Sequence, residues 1–263
     1  MLVEKKLSYH NHSIFYQVIG KGKPVMLLHG FGETGNVWKN QVEYFKDKVR
    51  LIIPDVPGSG KSEAIDDMSM EGMAEVVKAI TTTEKINSFA LIGHSMGGYI
   101  SLAFAEKYFE NLEALGLFHS TAYADSEEKK DTRSKGIDFI RKHGAFEFLK
   151  NTSPNLFSPF SKSENQKLID NFIGSLNNFS ADVLVSYYEA MMKRPDRTAI
   201  LKDSKFPVLF IMGKYDNAVP LEDGLKLCHL PEKSYIDILK KSGHMGMIEE
   251  PSESNSALEK FLS

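Results

Sequence analysis

Two rhythms of apolar and polar residues divide this chain. The first is a series of short, unbroken apolar runs: Val25-Met26-Leu27-Leu28, Leu51-Ile52-Ile53, Phe89-Ala90-Leu91-Ile92, Leu115-Gly116-Leu117-Phe118 and Val208-Leu209-Phe210-Ile211-Met212. Runs without alternation suit strands buried on both faces, as in a parallel sheet covered by helices. Segments of helix length lie between most of them, so the pattern reads βαβ. Nearer the N-terminus, Leu7-Ser8-Tyr9 and Ile14-Phe15-Tyr16-Gln17-Val18 alternate around Asn11-His12, which predicts an antiparallel hairpin. Tyr235 to Leu239 is a further, more alternating strand. The predicted fold class is α/β, with a mostly parallel, doubly wound central sheet of about eight strands.

The second rhythm fills Ser120 to Ser204, where no central strand is visible. Ile169, Phe172, Ile173 and Leu176 fall on one helical face, and Leu184, Tyr187, Tyr188 and Met191 repeat the spacing. Asp125 with Glu128, and Ser163 with Gln166, have capping-box spacing. Pro154 and Pro159 interrupt the middle. These signals predict an all-helical insertion of about four helices between two strands of the sheet. The expected division is a core of residues 1–120 and 193–263 and an insertion at 121–192. Glu127-Glu128-Lys129-Lys130 reads as a solvated helix face.

Composition narrows the class without naming a chemistry. The chain has 263 residues, 42% hydrophobic and 25% charged, enough apolar content for a large core. A net charge of −3 gives no reason to expect nucleic acid or an anionic membrane as partner. The single cysteine, Cys228, leaves no internal disulfide or cysteine-rich zinc site. Met1 to Tyr9 lacks the apolar core of a signal peptide, and no run is long enough to span a membrane. A cytoplasmic protein, monomer or homodimer, is the expectation.

Chemistry enters at Gly93-His94-Ser95-Met96-Gly97-Gly98, between the run ending at Ile92 and a helical stretch from Tyr99 to Tyr108. Strand, sharp turn and helix put a serine hydroxyl at an exposed apex, with small neighbours that let the two elements pack closely. Such a serine needs a base, an acid and a pair of oxyanion donors. The N–H of Met96 supplies one donor. The turn His29-Gly30-Phe31-Gly32 follows an earlier strand and offers the N–H of Phe31 as the other. Asp216 follows the strand ending at Met212, at the sheet end where ligands bind in open α/β folds. Asp125, beyond Phe118, is its less favoured substitute. Of the eight histidines, His244 follows the last strand on a glycine-flanked loop. The chain order Ser95, Asp216, His244 is that of elbow-type hydrolases. His94 points away from the elbow in this reading.

Two glycine-rich segments imitate phosphate loops. Gly30-Phe31-Gly32-Glu33-Thr34-Gly35 follows a strand, and Asp55 lies after the next strand, as in a dinucleotide fingerprint. Here, however, the strand is the third of the chain, His29 precedes the first glycine and Trp38 is too bulky for a closely packed helix. Gly58-Ser59-Gly60-Lys61-Ser62 lacks the first glycine of a P-loop, whose place is held by Asp55. Both read better as the oxyanion turn and an ordinary polar loop.

Together these motifs closely resemble the α/β-hydrolase superfamily over nearly the whole chain: Leu28 to Gly32, Pro54 to Ser62, Gly93 to Gly98, Arg194-Pro195-Asp196, Gly213 to Pro220 and Ser242-Gly243-His244. The resemblance implies a Ser95-His244-Asp216 triad and a helical cap after the sixth strand, here about Thr121 to Met192. It also implies that Asp55 to Ser62 is a structural loop near the oxyanion turn. Haloalkane dehalogenases and epoxide hydrolases share the fold but use an aspartate nucleophile, so Ser95 argues against both. The implied activity is carboxylester hydrolysis through an acyl-enzyme, on a small-molecule acyl substrate, with no metal or organic cofactor. Carbon–carbon hydrolysis of ring-cleavage diketones, thioester or lactone hydrolysis, and a triad-bearing receptor for a small ligand are the alternatives on this fold. His29, His119, Tyr188, Val219 and Met245 are expected to face the substrate. Tyr187, Met191 and Met192 are further lining candidates, although apolar residues at helical spacing are first of all packing residues.

Overall fold

The computed structural model describes residues 2–176 and 179–263. An 8-stranded sheet runs through it in the order β1-β2-β4-β3-β5-β6-β7-β8. The strands are β1 (Leu2–Tyr9), β2 (His12–Ile19), β3 (Pro24–Leu28), β4 (Arg50–Pro54), β5 (Phe89–His94), β6 (Leu112–Phe118), β7 (Val208–Gly213) and β8 (Ser234–Leu239). β1 and β2 pair antiparallel, as do β2 and β4, and every later pairing is parallel. The hairpin turn lies one residue earlier than expected. His10 and Asn11 take φ of 47° and 70°, which a tight hairpin turn requires at both central positions, and His12 already belongs to β2.

The unbroken apolar runs are explained by a core on each face of the sheet. Val25 and Leu27 enter one core with Trp38, Phe118 and Phe261, while Met26 and Leu28 enter the other with Ile80, Phe104 and Met96. A strand whose neighbours point to opposite faces must then be apolar at every position. The covering helices are α1 (Lys39–Phe45), α2 (Met70–Thr83) and α3 (Met96–Tyr108) before β6. After β7 come α10 (Leu221–Leu227), α11 (Gly246–Glu249) and α12 (Pro251–Leu262).

Between β6 and β7 lie α4 (Glu127–His143), α5 (Ala145–Thr152), α6 (Pro159–Glu164), α7 (Gln166–Gly174), α8 (Ala181–Lys193) and the short α9 (Thr198–Lys202). This is more helices than the expected four, because Gly144 and the two prolines cut the segment into short pieces. Both expected capping boxes are displaced. Ser126 caps α4 by accepting from Lys129 N, and Asn165 caps α7 by accepting from Leu168 N. Asp125 is drawn off by two arginines, and Ser163 lies inside α6 with its hydroxyl on Phe160 O. Among the described residues no helix is long and apolar enough to cross a membrane.

Candidate active site

Ser95 stands between the end of β5 and the start of α3 with φ 51° and ψ −116°, a conformation that few residues other than glycine adopt. Hydrogen bonds over-determine it. Ser95 N donates to Phe118 O at 3.0 Å, Gly98 N donates to Ser95 O at 2.9 Å, and Ser120 Oγ donates to the same oxygen at 2.8 Å. Two glycines make the turn sterically feasible. A Cβ on Gly93 would lie 2.3 Å from the carbonyl carbon of Gly97, and one on Gly97 would lie 2.6 Å from Leu28 O. Because Leu28 leads into the His29-to-Gly32 turn, the close approach at Gly97 also brings that turn beside Ser95.

Asp216 and His244 reach the same sheet end from β7 and β8. Asp216 Oδ1 accepts the N–H groups of Ala218 and Val219 at 2.8 and 2.9 Å. Its Oδ2 accepts from His244 Nδ1 at 2.8 Å. Burial alone would raise the Asp216 pKa. The neighbouring His244, with hydrogen bonds from two imidazoles, overrides burial and holds the carboxyl far below the usual carboxylate range. Burial likewise pulls His244 down, but Asp216, helped by Glu33 and Glu249, raises it above the ordinary imidazole value. With Nδ1 committed to Asp216, Nε2 is the nitrogen left free. Among the described residues neither Nε2 nor Ser95 Oγ makes a hydrogen bond. Such contacts commonly tighten only when substrate is bound.

The turn that carries Phe31 is fixed by Glu33, whose Oε2 accepts Gly30 N–H at 2.8 Å. The N–H of Phe31 makes no hydrogen bond among the described residues, and Met96, as the first residue of α3, has no intrahelical partner for its own. The Phe31 ring stacks on Tyr188 of α8, with centroids 4.4 Å apart and planes 6° apart, and meets Phe148 of α5 edge-on at 6.3 Å. Burial pushes the Tyr188 phenol up to about 12, so it stands there as a neutral hydroxyl. The Arg133 guanidinium lies 5.2 Å from the Tyr188 ring centre.

The strand ends, the serine turn and the intervening helices match the alpha/beta hydrolase fold family over residues 23–251. The chain belongs to the α/β-hydrolase family. This α/β-hydrolase is similar over 94% of its length to a 2-hydroxy-6-oxo-6-(2'-aminophenyl)hexa-2,4-dienoic acid hydrolase of Metapseudomonas resinovorans, at 28% identity and covering 87% of that protein. A 2-hydroxy-6-oxo-6-phenylhexa-2,4-dienoate hydrolase of Comamonas testosteroni is 26% identical over 98% of this chain and 93% of its own. Among solved structures, a thermophilic esterase from Thermogutta terrifontis superimposes with a TM-score of 0.92 at 27% identity, covering 99% of this chain and 98% of that one.

Several residues expected at the substrate face are elsewhere in this α/β-hydrolase. His29 is fully buried. Its Nε2 accepts Val56 N–H at 2.9 Å and its Nδ1 faces Gly30 O at 2.9 Å, so the ring anchors the Val56-to-Ser62 loop rather than a ligand. His119 is buried against Asp216, its Nδ1 3.0 Å from the same Oδ2 that holds His244. Burial lowers its pKa to about 4, and its Nε2 has no partner among the described residues. Met245 is a core residue, Tyr187 is buried with its hydroxyl on Pro57 O at 2.6 Å, and Met191 packs inside α8's buried face. Val219 acts through its N–H, which holds Asp216. Tyr188 remains beside the turn that carries Phe31.

Asp125 is not a substitute acid, since Arg133 and Arg194 hold its buried carboxylate at 2.6 and 2.9 Å. Asp55 makes the glycine-rich decoys intelligible. Its two oxygens accept Gly35 N–H and Lys61 N–H, both at 2.9 Å, so the acid that imitates a ribose ligand ties two loops together. His119, Asp216 and His244 bring ligand atoms within 4.8 Å of one another, as a metal site would. There Asp216 Oδ2 already bonds His244 Nδ1 at 2.8 Å and lies 3.0 Å from His119 Nδ1, which also faces Gly213 N–H at 3.2 Å. Glu33, His119 as a partner of Asp216, and Glu249 of α11, which accepts from the histidine loop, were not found by sequence reasoning.

Proposed function

We propose that this α/β-hydrolase is a serine hydrolase that cleaves a small carboxylic ester through an acyl-enzyme. The observation that carries the reading is the convergence of three strand ends: Ser95 on its strained turn, and Asp216 holding His244 Nδ1 at 2.8 Å. In this reading His244 Nε2 takes the Ser95 proton as the hydroxyl attacks the carbonyl carbon. Negative charge builds on the carbonyl oxygen and is received by the N–H groups of Phe31 and Met96. The ester C–O bond breaks as His244 returns the proton to the departing alcohol oxygen. Water then gives a proton to the same nitrogen, attacks the acyl-enzyme and releases the acid, and Ser95 recovers its proton. The helical insertion serves as a cap, with Tyr188 and Phe148 bordering the acyl or alcohol group. The likeness to the Thermogutta terrifontis esterase supports an ester as substrate.

Carbon–carbon bond hydrolysis is the second reading, favoured by the two dienoate hydrolase relatives. The attack on a ketone carbonyl is the same. The proton must then reach carbon, so only a substrate whose leaving carbon can hold negative charge reacts. Labelling with a fluorophosphonate, mapped by mass spectrometry, is expected to mark Ser95, and an unlabelled Ser95 in folded protein overturns both readings. Turnover of p-nitrophenyl acetate against decolorisation of 2-hydroxy-6-oxo-6-phenylhexa-2,4-dienoate then separates them. Faster dienoate cleavage selects the second.

A further inference from the structure

The backbone of His244 is held on both sides by groups that do not touch the reacting atoms. Its N–H donates to Leu156 O of the helical insertion at 2.7 Å. Its carbonyl oxygen lies 3.0 Å from His94 Nε2. His94 is fully buried, and its Nδ1 lies 3.0 Å from Glu33 Oε2. That is the oxygen that accepts Gly30 N–H at 2.8 Å and shapes the oxyanion turn. Each ring nitrogen of His94 thus faces an acceptor, one a carboxylate oxygen and one a peptide carbonyl. A continuous path of short hydrogen bonds runs from the oxyanion turn, through Glu33 and His94, to the peptide of the histidine loop. A buried carboxylate and imidazole are costly to desolvate, and here the pair joins the turn before α1 to the loop that carries His244.

We propose that Glu33 and His94 form a positioning relay that sets His244 relative to the oxyanion donors. The proposal rests on the reading of His244 as the general base. The relay places base and oxyanion turn in one rigid unit beside Ser95, so that proton removal and charge stabilisation are aligned before substrate arrives. Displacements of about 1 Å in such an arrangement can cost about a hundredfold in rate. The charge on Glu33 has a second effect, because it lies near enough to favour the protonated form of His244. The other groups facing His244 are Asp216 and His119 from the strand ends, His94 from the elbow and Glu249 from α11. Glu249 Oε1 accepts from Gly243 N and Met245 N, on either side of His244, and its Oε2 accepts from Ser158 N and Ser161 Oγ of the insertion.

The geometry allows charge and hydrogen bonding to be separated. Both bonds to Glu33 converge on one oxygen, and Oε1 makes none among the described residues. In Glu33→Gln the amide oxygen takes over both bonds while the charge disappears. In Glu33→Ala both bonds are lost. The test is kcat and KM of each variant for p-nitrophenyl acetate between about pH 5 and pH 9. Glu33→Ala is expected to lose about tenfold or more in kcat with little change in KM. Glu33→Gln is expected to recover most of that loss, and the acid limb of its kcat/KM profile should move to lower pH. The sign follows because the base works only when neutral, and removing a nearby negative charge makes His244 easier to deprotonate. Equal losses in the two variants with an unmoved acid limb overturn the relay and leave a packing role. Should Glu33→Ala fail to fold, the Glu33→Gln acid limb decides alone. Ser95→Ala is the separate control: if it retains turnover, the reading of the site has failed, whereas a dead Ser95→Ala beside a wild-type-like Glu33→Ala fails only the relay.

Discussion

On the sheet side of the site, side chains are placed by backbone. Ser95, Asp216 and His244 each follow a strand, and main-chain groups of Phe118, Gly98, Ala218, Val219 and Leu156 hold them. On the insertion side, Tyr188, Phe148 and Arg133 come from three different helices and meet through rings and a guanidinium. Backbone hydrogen bonds in a parallel sheet have one register, so the sheet side has essentially one arrangement. Side chains on short helices can be exchanged without disturbing a register. On the proposed reading, chemistry therefore belongs to the sheet and selectivity to the insertion.

Four experiments would break or sharpen that assignment. Ser95→Ala should lower kcat for p-nitrophenyl acetate by about 10³-fold or more, with the protein still folded by circular dichroism. Asp216→Asn should cost about 10²- to 10⁴-fold, because the amide no longer selects the His244 tautomer that leaves Nε2 free. The pH dependence comes next. His244 is raised above the ordinary value of about 6.5, and it must be neutral to act. Thus kcat/KM should fall about tenfold per pH unit below an inflection that lies above 6.5. An inflection below 6.5 would mean that Asp216 does not charge-pair with His244 in solution. The smallest effect is expected at the insertion. Tyr188→Ala should shift KM by about tenfold for a bulky aryl ester, while kcat for the smallest ester changes by less than about threefold. If Tyr188→Ala instead abolishes turnover of the smallest ester, the division between the two sides is wrong.

The same contrast explains what the sequence disclosed. Strand-end residues are legible because the sheet forces them to one edge, and so the α/β fold, Ser95, Asp216 and His244 could be read in order. Burial on both faces made the strands themselves conspicuous. The histidines were harder, since sequence does not reveal where ring nitrogens point. His29 is taken up by Val56, His119 by Asp216 and His94 by Glu33, a partner 61 residues away. Glu33 stands in a glycine-rich turn with nothing in its own segment to mark it, and its partner His94 is 61 residues away. Asp125 has the spacing of a helix cap, but two arginines offer its carboxylate more than a backbone N–H can, and Ser126 takes the cap instead. In the insertion the apolar periodicity located the helices, while loop geometry at Gly144, Pro154 and Pro159 decided how many there are.

The strained turn at Ser95 has a consequence for heat resistance. A backbone at φ 51° costs a serine on the order of 1–3 kcal/mol, and a glycine there is relieved of most of it. Ser95→Gly should therefore melt at a higher temperature than the parent while hydrolysing nothing, a result that differential scanning calorimetry would reveal directly. Thermal endurance and turnover pull in opposite directions at this one residue. A directed-evolution campaign that ranks variants by survival at high temperature alone would reward loss of the nucleophile, so such a campaign on this scaffold must score product formation in every round.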